Sequence, residues 1–428
     1  MRVVRLRVAA GPFLLAPMVI ASCSSSGDGN VLYVGRGDEA AVPMPARDGG
    51  SAPAQDATVM DGGVLADATV DATTADALVP VDAPLDGAHD ASDGPPVADA
   101  SADAARDAQP DAAFDASPLD CSTDAGHAVV LGCTGLYSNW AARTVAPDVL
   151  PYDPGLHFWS DGTLKRRWIR LPPGTQIDTT AMDEWNFPIG TKFWKEFTLG
   201  GLKVETRLLE KLPDGSWFRT TYRWSPDQQS APELTVGETN VNGTTYEIPD
   251  QGTCSSCHMG RIDGILGFEA VSLAQAGASG VTLAELVAQN KLTSPPAMSL
   301  AIPGNATEQA ALGWLHANCG TACHSNSPSA LAGRTGLRMR LEAAQLNSVQ
   351  STDTWTTAVN VPSQFQPTPN AGLQRIAPRD VPRSAITYRA GRRDAVGAPV
   401  IVQMPPFVTH VVDDAGVQAV SAWINIIP

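Results

Sequence analysis

No tryptophan occurs before Trp140, while fifteen aspartates fall between residues 51 and 120. That asymmetry confines any packed core to the region beyond residue 120. Residues 24–120 are rich in Ala, Asp, Gly and Pro and almost free of aromatic side chains. Such a composition cannot bury enough apolar surface to offset the entropy of ordering, so the expectation is a disordered tether over residues 23–120. As a flexible coil it would span roughly 55 Å r.m.s., lengthened by repulsion among its aspartates. The same segment accounts for the charge. Of the net −16, residues 51–120 hold fifteen Asp against Arg106 alone, so they carry −14 and leave −2 for the rest. The acidity belongs to the tether and implies no cationic partner. No cluster of basic and aromatic residues points to nucleic acid.

The chain opens with a short basic stretch, Met1-Arg2-Val3-Val4-Arg5-Leu6-Arg7, then an apolar run from Val8 to Ile20 broken by Gly11, Pro12 and Pro17. That run is too short for a membrane-spanning helix and suits the core of an export signal. It closes on Ile20-Ala21-Ser22-Cys23, which is similar to the lipobox of bacterial lipoproteins. Residues 1–22 are therefore expected to be a signal peptide, and Cys23 a lipidated N-terminus held on a membrane by its acyl chains. An ordinary signal peptide with an incidental cysteine is the alternative. Ser24, in place of Asp, favours an outer-membrane lipoprotein facing the periplasm or the cell surface.

Six further cysteines remain. Cys121 and Cys133 flank a loop in an exported chain, which predicts a disulfide, with two free thiols as the alternative. The other four form two pairs, each followed by histidine. Cys254-Ser255-Ser256-Cys257-His258 has the CxxCH spacing of covalent haem attachment. Two intervening residues let one helical turn present both sulfurs to the vinyl groups on one edge of a porphyrin, and the next residue places its imidazole under the iron. Cys319-Gly320-Thr321-Ala322-Cys323-His324 has one residue more, which a local bulge can absorb. The expected axial ligands are His258 and His324, with Met404 in Gln403-Met404-Pro405-Pro406 opposite His324. His/Met ligation raises the reduction potential. Met298 is the candidate opposite His258, against a core gap-filler as the plain alternative. His316 reads as a packing residue, and His157 and His410 have no partner pattern. Disulfides within each pair, or a zinc site from Cys254, Cys257, Cys319 and Cys323, are the competing readings.

Between these ends the pattern changes period. Residues 134–250 read as β. Lys203 to Leu208 alternates apolar and polar side chains, Pro213-Asp214-Gly215 marks a turn, and Trp217 to Trp224 forms the next strand. Residues 168–171 and 193–199 are further strands. The expectation is an antiparallel all-β sandwich or barrel-like domain over 121–250. Seven of the ten tryptophans lie here. They either pack a core or line a polysaccharide-binding face. A first haem segment over 251–304 and an all-α, cytochrome c-like domain over 305–428 follow. Asn305 with Glu308 predicts a capped helix running into Cys319. Asp413 or Asp414 predicts the start of a last helix with Val417, Val420, Trp423 and Ile424 on one stripe, packed against the first.

Ordered motifs run through this region: Pro151-Tyr152-Asp153, Trp159-Ser160-Asp161-Gly162, Lys165-Arg166-Arg167-Trp168-Ile169, Leu171-Pro172-Pro173-Gly174 and Trp185-Asn186-Phe187-Pro188-Ile189-Gly190-Thr191. Glu205-Thr206-Arg207-Leu208, Tyr246-Glu247-Ile248-Pro249, Leu315-His316-Ala317-Asn318-Cys319 and Met404-Pro405-Pro406 continue the series. With the two cysteine motifs, they resemble a family of bacterial dihaem c-type cytochromes with an N-terminal β domain, over about residues 134–428. The family's second motif is usually CxxCH, so the extra residue here is a departure. The resemblance implies two haems c and an envelope redox partner, but no particular reaction. Three functions stay open: an electron carrier, a dihaem peroxidase-like enzyme with an open site at the first haem, and a polysaccharide-binding module with accessory haem.

Overall fold

The computed structural model describes Leu119, Cys121 and residues 126–369, 371–395 and 398–428. The expected signal peptide, the expected lipidation site Cys23 and, apart from Leu119, the expected tether lie outside the described residues. No described helix is long and apolar enough to cross a membrane. A disulfide joins Cys121 to Cys133, with the Cα atoms 5.5 Å apart.

β1 (Tyr137–Asn139) and β2 (Thr144–Val145) pair as a small antiparallel ribbon. The main sheet contains β3 (Leu150–Asp153), β4 (Leu164–Arg170), β5 (Lys192–Leu199), β6 (Leu202–Lys211), β7 (Trp217–Arg223) and β8 (Ser279–Gly280). Its order is β7-β6-β5-β4-β3-β8, and every neighbouring pair is antiparallel. The expected hairpin is β6–β7, with Leu208 opposite Thr220.

Adjacent residues of one strand feed opposite cores, because side chains alternate across a sheet. Trp168, Trp194, Leu208 and Tyr222 pack with Leu131, Leu136 and Trp224 on one face. Ile169 and Phe193 pack on the other with Tyr152, Phe268, Leu283 and Leu292. A strand with aromatic and aliphatic groups on both sides needs two covers. The sequence reading supplied the second cover as another sheet. The structure supplies it from helices and loops beyond residue 250, together with Ile177, Trp185 and Phe187 of the loop between β4 and β5, so this part is a single open sheet and neither a sandwich nor a barrel. The packing therefore crosses the boundary expected at 250. β8 bonds to β3, with Gly280 opposite Tyr152. Gly280 has φ +67°, and a Cβ there would lie 2.2 Å from the Pro151 carbonyl oxygen, so only glycine fits. Trp168, Trp185, Trp194 and Trp224 are each at most 2% exposed, so core packing accounts for these four.

The helices are α1 (Gln251–His258), α2 (Ala270–Leu273), α3 (Leu283–Ala288), α4 (Ala306–Leu315), α5 (Asp353–Ala358), α6 (Ala385–Ala390) and α7 (Asp414–Ile426). Much of residues 321–412 between them is turn and loop. α4 opens with a capping box, in which Asn305 accepts from the Glu308 N–H and Glu308 accepts from the Asn305 N–H. Asp413 caps α7 and also accepts from Trp314 Nε1 at 2.7 Å. Ala311, Leu312 and Leu315 of α4 meet Val420, Trp423 and Ile424 of α7 in one core. Gly416 lets the two helices close, since a Cβ there would fall 1.9 Å from Trp314 Nε1.

Candidate haem-binding site

α1 is one short helix whose N-terminus is fixed by Asp250, which accepts from the Thr253 N–H at 2.7 Å. Cys254 and Cys257 stand one turn apart, and both line a cavity beneath the sheet. His258 ends the helix and lines the same cavity. Its Nδ1 lies 2.5 Å from the Gly264 carbonyl oxygen. The proton therefore sits on Nδ1, and the Nε2 lone pair is left for a metal. Burial lowers the His258 pKa to about 4, which keeps the ring neutral.

The second motif solves its extra residue locally. α4 runs into a π-helical turn, His316–Gly320. The Thr321 N–H donates to the His316 carbonyl and the His324 N–H to the Cys319 carbonyl, both at 2.9 Å and both spanning five residues. A π turn is how a helix takes in one inserted residue. His324 repeats the arrangement of His258, with Nδ1 3.2 Å from the Leu337 carbonyl oxygen and its pKa lowered by burial to about 4.

The two motifs touch. A Cβ on Gly260 would lie 1.8 Å from the Ala322 carbonyl oxygen. Ser325 Oγ donates to the Gly260 carbonyl at 3.2 Å, and Ser329 Oγ to the Met259 carbonyl at 2.5 Å. Cys323 lines the same cavity as Cys254 and Cys257, whereas Cys319 packs against the α4–α7 core. All four thiols are free. Burial pushes Cys319 and Cys323 up to about 12 and raises Cys254 and Cys257 as well, so they are held as thiols. Among the described residues, no three His, Cys, Asp or Glu side chains are grouped as a metal site. The zinc reading, which would gather four of them, finds no such cluster here.

Met404 lines the cavity on a loop fixed from several sides. Its N–H donates to the Arg389 carbonyl at 3.0 Å, and Asp394 accepts from the Val402 and Gln403 N–H groups. Further along, Asp161 accepts from the His410 and Val411 N–H groups at 2.9 and 3.1 Å, and His410 Nε2 lies 2.8 Å from Glu247. Trp159 completes the clamp. Its indole donates to the Val411 carbonyl at 2.8 Å, and its backbone N–H donates to Asn318 Oδ1 at 2.6 Å. The motif Trp159 to Gly162 thus ties the residue before Cys319 to the loop after Met404. Sequence reasoning listed that motif and found no role for it. Its one local signal is the Asp161-Gly162 turn just ahead of β4, with φ +48° at Asp161.

Met298 does not join the cavity. It is 57% exposed and lines a separate surface groove with Gly304 and Ala343. His316 is fully buried and serves packing. Its Nδ1 accepts from the Leu341 N–H at 2.8 Å, which leaves Nε2–H facing Glu269 at 3.3 Å. His157 is exposed beside Asp153.

The donor chemistry suits a c-type haem. A porphyrin brings four nitrogen ligands to its iron, so the chain need supply only axial donors and thiols. His258 presents a free Nε2, Cys254 and Cys257 open onto the same space, and Met404 offers a thioether there. The basic side chains of Lys195, Arg207 and Arg393 line it too, as do Glu247 and Asp413. No family model matches this chain, and no curated protein or solved structure matches it either.

Proposed function

We propose that this chain is a lipid-anchored dihaem c-type cytochrome of the bacterial envelope that exchanges electrons with a redox protein. The observation that carries the reading is the convergence of the two cysteine–histidine segments. They lie far apart in sequence yet pack against one another, and both imidazoles are tied through Nδ1 with Nε2 unbonded. Haem supplies one-electron exchange between ferrous and ferric iron when bound. Cys254 with Cys257, and Cys319 with Cys323, would hold the macrocycles as thioethers. The Gly264 and Leu337 carbonyls orient His258 and His324, and a bond of this kind at Nδ1 would strengthen the other nitrogen as a ligand. Met404, which shares its cavity with His258 and Cys323, would offer its thioether to the iron from a loop that Asp161, Asp394 and Glu247 keep from swinging away. The α4–α7 pair is the cytochrome c-like element, and residues 321–412 are its loop-rich insertion. Cys23 anchors the chain at the outer membrane, and the tether lets the folded part reach its partner.

A second reading rests on Met298. Because Met298 stands outside the cavity, the first haem lacks its expected distal donor, and a peroxidase-like enzyme is the runner-up. Haem content decides the main reading. The chain, matured by a c-type system without its lipid anchor, is expected to give two haems per chain by pyridine haemochrome. Cys257→Ala and Cys323→Ala should each lose one. No haem, where a control cytochrome matures, overturns the proposal. A high-spin ferric haem that binds cyanide while the other does not favours the peroxidase-like reading.

A further inference from the structure

Three cations stand in register across the middle of the sheet. Arg167 of β4 faces Lys195 of β5, and Lys195 faces Arg207 of β6. Like charges directly opposite one another destabilise a sheet, and an enclosed charge without a counter-ion costs more still. Two of the three are compensated. Arg167 pairs with Asp153, and Arg207 holds Glu205 through two bonds of 2.7 Å. Lys195 between them pairs with no carboxylate among the described residues. Its ammonium has only the rings of Phe158 and Phe197, with centroids 5.3 and 5.1 Å away. Lys195 and Arg207 both line the cavity onto which Cys254, Cys257 and His258 open. Burial, with Arg167 and Arg207 alongside, pushes the Lys195 ammonium well below its usual pKa; the side chain lacks the counter-ion that would hold its charge, and an anion entering that cavity would supply it.

A haem carries two carboxylates, the propionates, on the porphyrin edge away from the thioether-forming vinyl groups. Resting on the cytochrome reading above, we infer that Lys195, beside Arg207 at the cavity wall, is the partner of one propionate at the first haem site. Arg207 is already bound to Glu205, so Lys195 is left as the anion's partner. Lys195 is a positioning residue here and gives the iron no bond. Phe158 and Phe197 keep the pair dry, which strengthens it. A cation fixed near the iron favours the ferrous state, so Lys195 also raises the potential of this haem.

The test uses matured holoprotein carrying Lys195→Met or Lys195→Arg. Haem content comes first, since thioether bonds hold the macrocycle without the propionate contact. Wild type and Lys195→Met are expected to carry the same number of haems. In Lys195→Met the potential of one haem falls, so that its ferric-to-ferrous ratio at the wild-type midpoint rises about tenfold. Its propionate bending band in resonance Raman shifts, and Lys195→Arg restores both. Lys195→Gln, which keeps a donor without the charge, gives the same reading should the methionine variant fail to mature. An unchanged potential and propionate band, with haem in place, overturn the inference and leave the cytochrome reading standing. A changed spin state would make Lys195 an iron ligand and overturn it too. A wild-type chain without haem overturns both.

Discussion

In His258 and His324 the Nδ1 nitrogen faces a backbone carbonyl, whereas in His316 it accepts a backbone N–H. That single difference sorts three buried histidines. The first two offer Nε2 outward, and the third turns its Nε2–H onto Glu269. Burial alone would raise the Glu269 carboxyl, but the His316 bond and the Ser272 N–H hold it well below the ordinary range. The carboxyl also accepts from the Val271 N–H at 2.8 Å as the cap of α2. A carboxyl depressed by folding contributes stability above its unfolded pKa, near 4.3, and loses it as pH falls towards the folded value. Urea unfolding should therefore show stability dropping from about pH 5 downwards. Glu269→Gln should be roughly 1–3 kcal/mol less stable at pH 7 and should flatten that acid slope. An unchanged slope in the variant would remove Glu269 as its source.

At the scale of elements, the segment 159–162 lies outside any helix or strand yet bonds to two distant parts of the chain. Asp161 is 7% exposed and accepts two backbone N–H groups from the loop beyond Met404. Bonds to a buried carboxylate contribute about 1.5–3 kcal/mol each. Asp161→Ala is expected to destabilise the protein by roughly 2–4 kcal/mol in chemical unfolding, and Asp161→Asn by less, because the amide oxygen still accepts. In holoprotein the alanine variant should also weaken the red absorption band of ferric methionine ligation. Full retention of both properties would dissociate Asp161 from the Met404 loop. The elements differ in how far they could be read from sequence. The capped helix α4, the stripe of α7 and the β6–β7 hairpin follow from local rules, since caps, turns and periodicity act within a few residues. The clamp at Trp159 and Asp161 joins segments some 250 residues apart, and no local pattern encodes a contact over such a separation. Met298 was a plausible ligand by residue type alone, and its exposure depends on packing that the sequence pattern does not carry. The π turn lay between these cases, because the extra residue was visible and the way the helix absorbed it was not.

At the scale of the molecule, composition changes near residue 250 while packing does not. The tryptophan-rich strands end there and the cysteine motifs begin, which made 250 look like a boundary. Yet the sheet face carrying Ile169 and Phe193 is buried by Ile265, Phe268, Leu273, Leu283, Leu286, Leu292 and Leu300, all from beyond that point. Each such side chain contributes about 1.5–3 kcal/mol on burial, an upper estimate for a compact unfolded chain. Seven of them together contribute roughly 10–20 kcal/mol, which reaches or exceeds the net stability of roughly 5–15 kcal/mol typical of a domain. More is lost besides, because β8 and the Ile177–Leu292 bridge also leave the sheet. A fragment spanning 121–250 is accordingly expected not to fold as a unit. It should unfold without a cooperative transition and bind a hydrophobic dye, whereas the chain from 121 to 428 should melt cooperatively and leave the dye unbound. Cooperative melting of the fragment would mean that the strands carry their own second cover. The β region could then act alone, and the polysaccharide-binding alternative would gain the independent module it requires. Failure of the fragment to fold would leave the sheet as one wall of the shared cavity, with β5 and β6 carrying Lys195 and Arg207 into it. On that account, the strands and the cysteine motifs form a single cooperative body, and mutations in either should shift the potentials and the unfolding midpoint of both.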